Sequence, residues 1–161
     1  MLKANKTKTV RATHGTFAIV ASRYNARYVD AMLGAAKSTL SKAGAKIRIV
    51  RVPGAYEIPV VAAKLVRQSE DDEPLSAIIC LGVILRGETV HAAHIGEAVS
   101  HALMRIQLDY QIPVIHEVLL LENEEQAKKR CLDRKHNRGT EAAQTALEMA
   151  HVLESLGQDN D

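Results

Sequence analysis

The stretch SAIICLGVIL, residues 76–85, is almost continuously apolar, and the polar turn RGETVH, residues 86–91, follows it directly. A short apolar run of this kind is typical of a strand that is covered on both faces, as in a parallel sheet. The sequence therefore predicts a buried central strand that ends in charge, glycine, hydroxyl and imidazole. Because a strand-to-helix joint needs only a turn and a cap, this cluster is a candidate for a functional site.

Strands and helices alternate on either side of the central strand. Three further strands are predicted, with the sequences GTFAIVAS at 15–22, KIRIVRV at 46–52 and IPVIHEVLLL at 112–121. Apolar residues at helical spacing predict a helix after each of the first three strands, at 25–44, 57–70 and about 90–110, and two closing helices at 123–132 and 139–156. Asn25 is the expected N-cap of the first helix, and Gly44 is expected to end it.

Repeated strand–helix units of this kind favour one fold class. Strands joined through helices form parallel sheets with right-handed crossovers. The sequence therefore predicts an α/β fold, a three-layer α/β/α sandwich with a four-stranded parallel flavodoxin-like sheet in the order 2-1-3-4. Such sheets bind ligands beyond the carboxyl ends of their strands, where the strand order reverses. In this order the site lies between strands one and three, beside SRYN (22–25) and RGETVH (86–91).

Length and composition narrow the function classes. The 161 residues predict one domain at 15–156, with a flexible arm at 1–14 and a flexible tail at 157–161. A net charge of +2 is too small to indicate nucleic acid or an anionic membrane as a partner. No apolar run approaches the roughly 20 residues of a spanning helix, and the basic N-terminus lacks the apolar core of a secretory signal. Two cysteines make no disulfide framework, which favours the cytoplasm.

The residues of RGETVH suit an anion and a proton transfer. Gly87 lets the backbone approach a ligand, Thr89 offers a hydroxyl, and the free N–H groups of a helix N-terminus bind anions. A capped helix with a flexible glycine turn explains the same residues equally well. His91 lies in the first helical turn, where a neutral imidazole could exchange protons, although a lone histidine is more often a surface residue. His94 follows one turn later, but no third ligand at suitable spacing supports a metal site.

Other segments near the same edge carry weaker signals. VPGAYEIP (52–59) combines a tight turn with Tyr56 and Glu57, and it is also what a turn followed by a helix start requires. Tyr24 is either a plate for a planar ring or a rim residue. The basic run KKRCLDRKHNR (128–138) is usually a solvated helix face, although one of its arginines could bind a phosphate.

In chain order, the segments RYN, VPGAYEIP, LGVILRGETVH, NEEQA, HNRG and ALEMA resemble the lumazine synthase family, from about Gly15 to Leu156. The resemblance implies a transferase of riboflavin biosynthesis, 6,7-dimethyl-8-ribityllumazine synthase. This enzyme condenses 5-amino-6-(D-ribitylamino)uracil with 3,4-dihydroxy-2-butanone 4-phosphate and releases phosphate and water. The resemblance implies no cofactor and no metal.

The resemblance also implies roles by motif position. His91 matches the acid–base residue, and Glu141 matches an acid that orients it. The residues matched to the uracil and ribityl chain are Tyr24, Ala55, Tyr56, Glu57, Val83, Ile84, Leu85 and His116. Those matched to the phosphate are Glu88, Thr89 and Arg130.

Three positions depart from the family pattern. Tyr24 replaces the commoner phenylalanine and preserves a stacking ring. His116 stands where the family usually has an aromatic residue that reaches into the neighbouring subunit's site, and Glu117 stands in place of a glycine. A histidine can still stack on a pyrimidine. The segment KHNR (135–138) lacks the usual extra glycine, which leaves the shape of that loop open.

The resemblance further implies a homo-oligomer with sites shared between subunits. Family members form pentamers, and many build a shell of twelve pentamers. The absence of an insertion between Arg130 and Gly139 favours the shell. Riboflavin synthase is a candidate partner.

Two other protein classes are alternatives to this enzyme. A phosphorylated receiver-type module needs acidic residues where this chain has SRYN and LGV. A non-catalytic shell protein would not require the set formed by His91, Thr89 and Arg130. The unusual His116 is compatible with this alternative.

Overall fold

The computed structural model describes residues 13–71 and 73–158 of the chain. The predicted N-terminal arm lies outside these residues except for Thr13 and His14. The predicted tail lies outside them beyond residue 158, and its first two residues belong to the last helix.

Four parallel strands form one sheet in the order β2-β1-β3-β4. They are β1 (Thr16–Ser22), β2 (Lys46–Val52), β3 (Leu75–Leu85) and β4 (Val114–Leu121). The predicted three-layer α/β/α architecture and strand order are therefore confirmed. The strand boundaries differ from the predicted ones by at most two residues, and β3 is the longest strand.

Within the described residues, five helices surround the sheet. They are α1 (Ala26–Lys42), α2 (Ile58–Asp71), α3 (His91–Tyr110), α4 (Glu124–Ala127) and α5 (Arg138–Gln158). A 3-10 turn, Ala55–Glu57, precedes α2, and a π-helical turn, Lys128–Leu132, follows α4. The helix predicted at 123–132 is thus correct in place but is divided between α4 and this turn.

The sheet has one hydrophobic core on each face, because side chains alternate along a strand. Phe17, Ile19 and Ala21 of β1 pack with α1 and α5, whereas Ala18 and Val20 pack with α2 and α3. The central strand is buried from Ala77 to Val83, as its apolar sequence predicts. Because both faces are covered, a ligand can reach the sheet at the ends of its strands rather than on its faces.

Glycines end α1 and allow α5 to approach it. Gly44 has a φ of 84°, and the N–H of Ala45 reaches back to the carbonyl of Leu40, so the predicted end of α1 at Gly44 is confirmed. At Gly139 an added Cβ would collide with the carbonyl oxygen of Met32. The glycine of HNRG therefore allows the backbone of α5 to contact α1.

Neither cysteine is placed for redox chemistry. Cys80 and Cys131 are both buried free thiols. Burial raises the pKa of the Cys80 thiol to about 12 and, with help from the Glu117 charge, that of Cys131 to about 11. Both sulfurs are therefore protonated near neutral pH, and they act as small core side chains.

Candidate functional site

A cavity of about 990 Å³ opens at the carboxyl ends of β1 and β3. Four segments form its walls: the β1–α1 loop, the turn after β2, the last residues of β3 and the first turns of α3. Nine of the predicted site residues line it, namely Tyr24, Ala55, Tyr56, Glu57, Val83, Ile84, Leu85, Thr89 and His91. The fold thus brings together residues that lie far apart in the sequence, at the edge where the sheet order predicts a site.

The floor of the cavity is the free edge of β3. The β1–β3 ladder ends with the pair Ala21–Leu81, whereas β4 accompanies β3 to Leu85. The N–H groups of Ile78 and Arg86 donate to β4, so even-numbered residues of β3 direct their backbone groups to β4. Odd-numbered residues direct theirs to the other side, towards the cavity.

Because of this alternation, the three β3 residues matched to the uracil, Val83, Ile84 and Leu85, do not all direct their backbone groups towards the cavity. The N–H and C=O groups of Val83 and Leu85 face the cavity side, beyond the end of β1. Those of Ile84 face β4, so Ile84 contributes its half-buried side chain instead. The open edge therefore offers alternating donors and acceptors that a flat heterocycle can use.

Asn25 completes this edge, a role that its sequence context does not reveal. It occupies the N-cap position of α1, as predicted, but its φ of 56° places it in the left-handed region and its side chain makes no capping hydrogen bond. Its Nδ2 instead donates to the carbonyl oxygen of Val83 at 2.7 Å. The side-chain amide thus replaces the strand residue that β1 no longer supplies, and Asn25 itself lines the cavity.

The two tyrosines stand at the rim, with Tyr24 74% and Tyr56 65% exposed. The N–H groups of Arg23 and Tyr24 donate to the carbonyls of Val52 and Pro53, at 2.8 and 3.0 Å. These bonds continue the β1–β2 pairing past the strand ends. They fix the backbone from which the Tyr24 ring projects, and the exposed ring is free to meet a planar ligand.

Arg51 braces the same loop from the edge strand. Its guanidinium donates to the carbonyls of Ala21 and Ser22 at 3.2 and 2.9 Å and pairs with Asp30 of α1 at 2.7 Å. The end of β1 is therefore held from the β2 side by Arg51 and connected to β3 by Asn25. No motif in the sequence identified Arg51, because its partners are backbone atoms of another strand.

Glu57 is held by the turn that carries it. Its Oε2 accepts the N–H of Gly54 at 2.9 Å, and a Cβ at position 54 would lie 2.9 Å from the same oxygen. The glycine of VPGAYE therefore leaves room for the carboxylate, which stays exposed at the wall of the cavity.

The start of α3 leaves backbone N–H groups without side-chain caps. Val90 occupies the N-cap position and offers no side-chain acceptor, while the N–H of His91 has only a long contact, 3.4 Å, to Thr89 Oγ1. The first-turn N–H groups, together with the helix dipole, therefore favour negative charge here. Gly87, Thr89 and His91 line the cavity at this end, whereas Glu88 is exposed and does not line it.

Besides Glu88, three predicted residues lie outside the cavity, namely His116, Arg130 and Glu141. His116 pairs in register with Cys80, three residues before Val83 and therefore about 10 Å down the sheet. Arg130 is exposed on the turn after α4. Glu141 lies on α5, in the layer across the sheet from α3. In a single chain, the predicted site residues therefore form two separate groups: those at the cavity, and the three on β4, the turn after α4 and α5.

Glu141 belongs to an ion network that the sequence did not reveal. Arg138 donates to both oxygens of Glu117, at 3.0 and 2.8 Å, and to Glu141 at 2.5 Å. Glu117, in place of the family's glycine, is only 6% exposed. Burial raises the pKa of the Glu117 carboxyl, against the lowering effect of Arg138. The only available hint was that a glutamate inside an apolar strand needs a cationic partner.

The described part of the chain has neither a cluster of metal ligands nor a membrane-spanning helix. Among residues 13–71 and 73–158, no three His, Cys, Asp or Glu side chains are grouped so that they could hold a metal ion. No helix in these ranges has the length and apolar character needed to cross a bilayer.

Comparison with known proteins identifies close relatives. The model of the family described as 6,7-dimethyl-8-ribityllumazine synthase matches residues 14–154. A protein of that name from Stenotrophomonas maltophilia (strain R551-3) is 43% identical over 143 residues, which cover 87% of this chain and 90% of that protein. Another from Xanthomonas campestris pv. campestris (strain B100) is 38% identical over 150 residues, 91% of this chain and 95% of that protein.

Proposed function

The chain belongs to the 6,7-dimethyl-8-ribityllumazine synthase family, a transferase family of riboflavin biosynthesis, and we propose that its cavity condenses 5-amino-6-(D-ribitylamino)uracil with 3,4-dihydroxy-2-butanone 4-phosphate. The observation that carries the proposal is the convergence of nine motif residues on one cavity. That cavity combines a flat-ring platform, a hydrogen-bonding strand edge and a helix N-terminus. These are the features that a pyrimidine and a phosphorylated ketone need side by side.

The uracil ring is assigned to the strand edge and the rim. The exposed Tyr24 ring offers a face for stacking, and the backbone groups of Val83 and Leu85 can pair with the polar edge of a pyrimidine. Glu57 and Tyr56, on the turn after β2, are placed to meet the hydroxyl-rich ribityl chain. The phosphate is assigned to the first turn of α3 beside Thr89, with Arg130 as its cationic partner.

The chemistry asks the protein to hold two substrates together and to move protons. The pyrimidine amine attacks the ketone carbon, and loss of water gives an imine. Phosphate is then eliminated, the ribitylamino nitrogen closes the second ring, and a further water leaves. His91 is at the wall of the cavity between the proposed phosphate and pyrimidine subsites. It is assigned to accept and return the protons of these steps.

The division of the site residues into two groups supports a site shared between copies of the chain. The cavity holds His91 and Thr89, whereas His116, Arg130 and Glu141 lie on β4, the π-helical turn and α5. Glu141 lies in the layer across the sheet from α3, so we propose that it orients the His91 of a neighbouring copy. We propose a pentamer as the smallest complete assembly, a shell of twelve pentamers as the larger one, and riboflavin synthase as a candidate partner.

Unpaired thiols at Cys80 and Cys131 suit a reducing compartment. We therefore propose that the reaction takes place in the cytoplasm.

The activity is tested by mixing the purified chain with both substrates. Absorption and fluorescence of the lumazine product should increase together with free phosphate, in equal amounts, and omission of either substrate should abolish both signals. A correctly folded chain that leaves both substrates unchanged would contradict the proposal.

The shared site is tested by co-assembly of His91→Ala and Arg130→Ala chains. Each variant alone should be impaired. Mixed assemblies should regain activity, since some sites then receive His91 from one chain and Arg130 from its neighbour. Mixtures no more active than the average of the two variants would place both residues in one chain's site.

A further inference from the structure

The imidazole of His116 is fixed at both of its nitrogens. Its Nε2 lies 2.7 Å from the hydroxyl oxygen of Ser100 on α3, and its Nδ1 lies 3.1 Å from the backbone nitrogen of Val118. The Ser100 hydroxyl in turn lies 2.7 Å from the carbonyl oxygen of Gly96, one helical turn earlier. The ring is therefore the middle of a hydrogen-bonded chain that joins β4 to α3.

The direction of every bond in this chain follows from its two ends. A backbone N–H can only donate, so Nδ1 must carry a lone pair towards Val118. A carbonyl can only accept, so the Ser100 hydroxyl gives its proton to Gly96. The Ser100 oxygen then accepts from His116, and the ring proton must be on Nε2. This series of hydrogen bonds thus selects the neutral tautomer that is protonated on Nε2.

An imidazolium does not fit this arrangement. It would need a proton on Nδ1, which would face the N–H of Val118 with two donors opposed. Partial burial also lowers the pKa of His116 and disfavours the charged ring. Because both ring nitrogens are engaged, His116 has no nitrogen available to take a proton from a substrate. The residue is nonetheless exposed, so its ring face remains accessible.

We propose that Ser100 is a positioning residue that holds His116, which the family resemblance matches to the pyrimidine of the substrate, as a neutral ring in a fixed orientation. This inference rests on the proposed function, in which His116 serves the site of a neighbouring copy. It separates the two histidines by role, because no described residue hydrogen-bonds the imidazole of His91, whereas both ring nitrogens of His116 are engaged. The histidine thereby replaces a hydrocarbon aromatic ring without adding charge to the pyrimidine subsite.

The tautomer is tested directly by NMR. Nitrogen-15 shifts of the His116 ring, assigned with a His116→Gln chain, should show a protonated Nε2 and an unprotonated Nδ1 at neutral pH. Detection of the Nδ1–H tautomer or of an imidazolium would overturn the inference. This measurement does not depend on turnover. An inactive wild-type chain with the expected shifts would contradict the proposed function, but not the tautomer.

The positioning role is tested by Ser100→Ala, with Ser100→Thr as the rescue, because threonine can also donate to the carbonyl one turn earlier. Ser100→Ala should give mixed tautomers and raise KM for the pyrimidine substrate about three- to tenfold, the loss of one hydrogen bond, with little change in kcat. Ser100→Thr should restore both values. Ser155→Ala is the matched control, since the Ser155 hydroxyl likewise donates to a backbone carbonyl one turn earlier, that of His151 on α5. An unchanged KM in Ser100→Ala would overturn the positioning role.

Discussion

The side-chain amide of Asn25 donates to the carbonyl oxygen of Val83 at 2.7 Å, across 58 residues of sequence. This bond connects the loop that carries Tyr24 to the free edge of β3, so the Tyr24 loop and the strand edge are held in one geometry. Asn25 makes the contact from a left-handed backbone conformation. The bond therefore couples two parts of the proposed pyrimidine subsite.

Loss of the Asn25 amide should weaken binding of the pyrimidine substrate and leave binding of the phosphorylated substrate unchanged. Asn25→Gly keeps the left-handed backbone but removes the donor, and Asn25→Asp places a carboxylate against the Val83 carbonyl. We expect KM for the pyrimidine to increase about tenfold in Asn25→Gly, and further in Asn25→Asp, in steady-state assays. Asn123→Gly, at an exposed helix N-cap that does not line the cavity, should leave KM unchanged. Equal increases for both substrates would count against the coupling.

Removal of the His91 imidazole should slow catalysis without unfolding the chain. His91 is exposed at the start of α3, so its loss opens no void in the core. We expect His91→Ala to reduce kcat roughly 10²- to 10⁴-fold, the usual contribution of a general acid–base group. His101→Ala, on the exposed surface of the same helix, is the control. An unaltered rate would show that His91 is not the proton-transfer residue.

Loss of the Arg130 guanidinium should weaken binding of the phosphorylated substrate alone. Arg130 is exposed, and no hydrogen bond or ion pair joins it to another of the described residues, so its charge is available for a ligand. We expect Arg130→Ala to raise KM for the butanone phosphate about tenfold or more, with little change for the pyrimidine. The neighbouring Arg134→Ala controls for the general loss of positive charge. A comparable effect in both variants would point to long-range attraction rather than a phosphate contact.

Removal of the Glu117 carboxylate should destabilise the fold. Glu117→Ala leaves the guanidinium of Arg138, 24% exposed, with Glu141 as its remaining partner. We expect a loss of about 3 kcal/mol in the free energy of unfolding, measured with urea, because a half-buried cation loses a bidentate partner. Glu122→Ala breaks an exposed pair with Arg86 and should cost less than about 1 kcal/mol. Similar losses in the two variants would mean that burial adds nothing to the Glu117 pair.

The fold could be predicted from the sequence because its signals are local. The apolar run at 76–85 and the helical periodicities around it specify a buried parallel strand between crossover helices, and the strand order follows from few alternatives. The same order places the carboxyl edge of β3 beside that of β1. The convergence of Tyr24, Val83 and His91 was therefore predictable in outline.

Side-chain roles that depend on distant partners could not be predicted in this way. An asparagine before a helix indicates an N-cap, and nothing local shows that Asn25 turns to Val83 instead. Glu117 and Arg138 are 21 residues apart and meet only after α5 packs on the sheet. The bond between Ser100 and His116 likewise requires α3 to lie on β4. In each case the partner is specified by tertiary packing, which short motifs do not record.

The central claim is that the cavity between β1 and β3 holds the heterocycle beside the phosphate. A crystal structure of the chain with 6,7-dimethyl-8-ribityllumazine and inorganic phosphate tests it most directly. We expect the ring over Tyr24 with its polar edge on Val83 and Leu85, and the phosphate at the first turn of α3 beside Thr89. Either compound bound elsewhere, or an empty cavity at saturating concentrations, would contradict it.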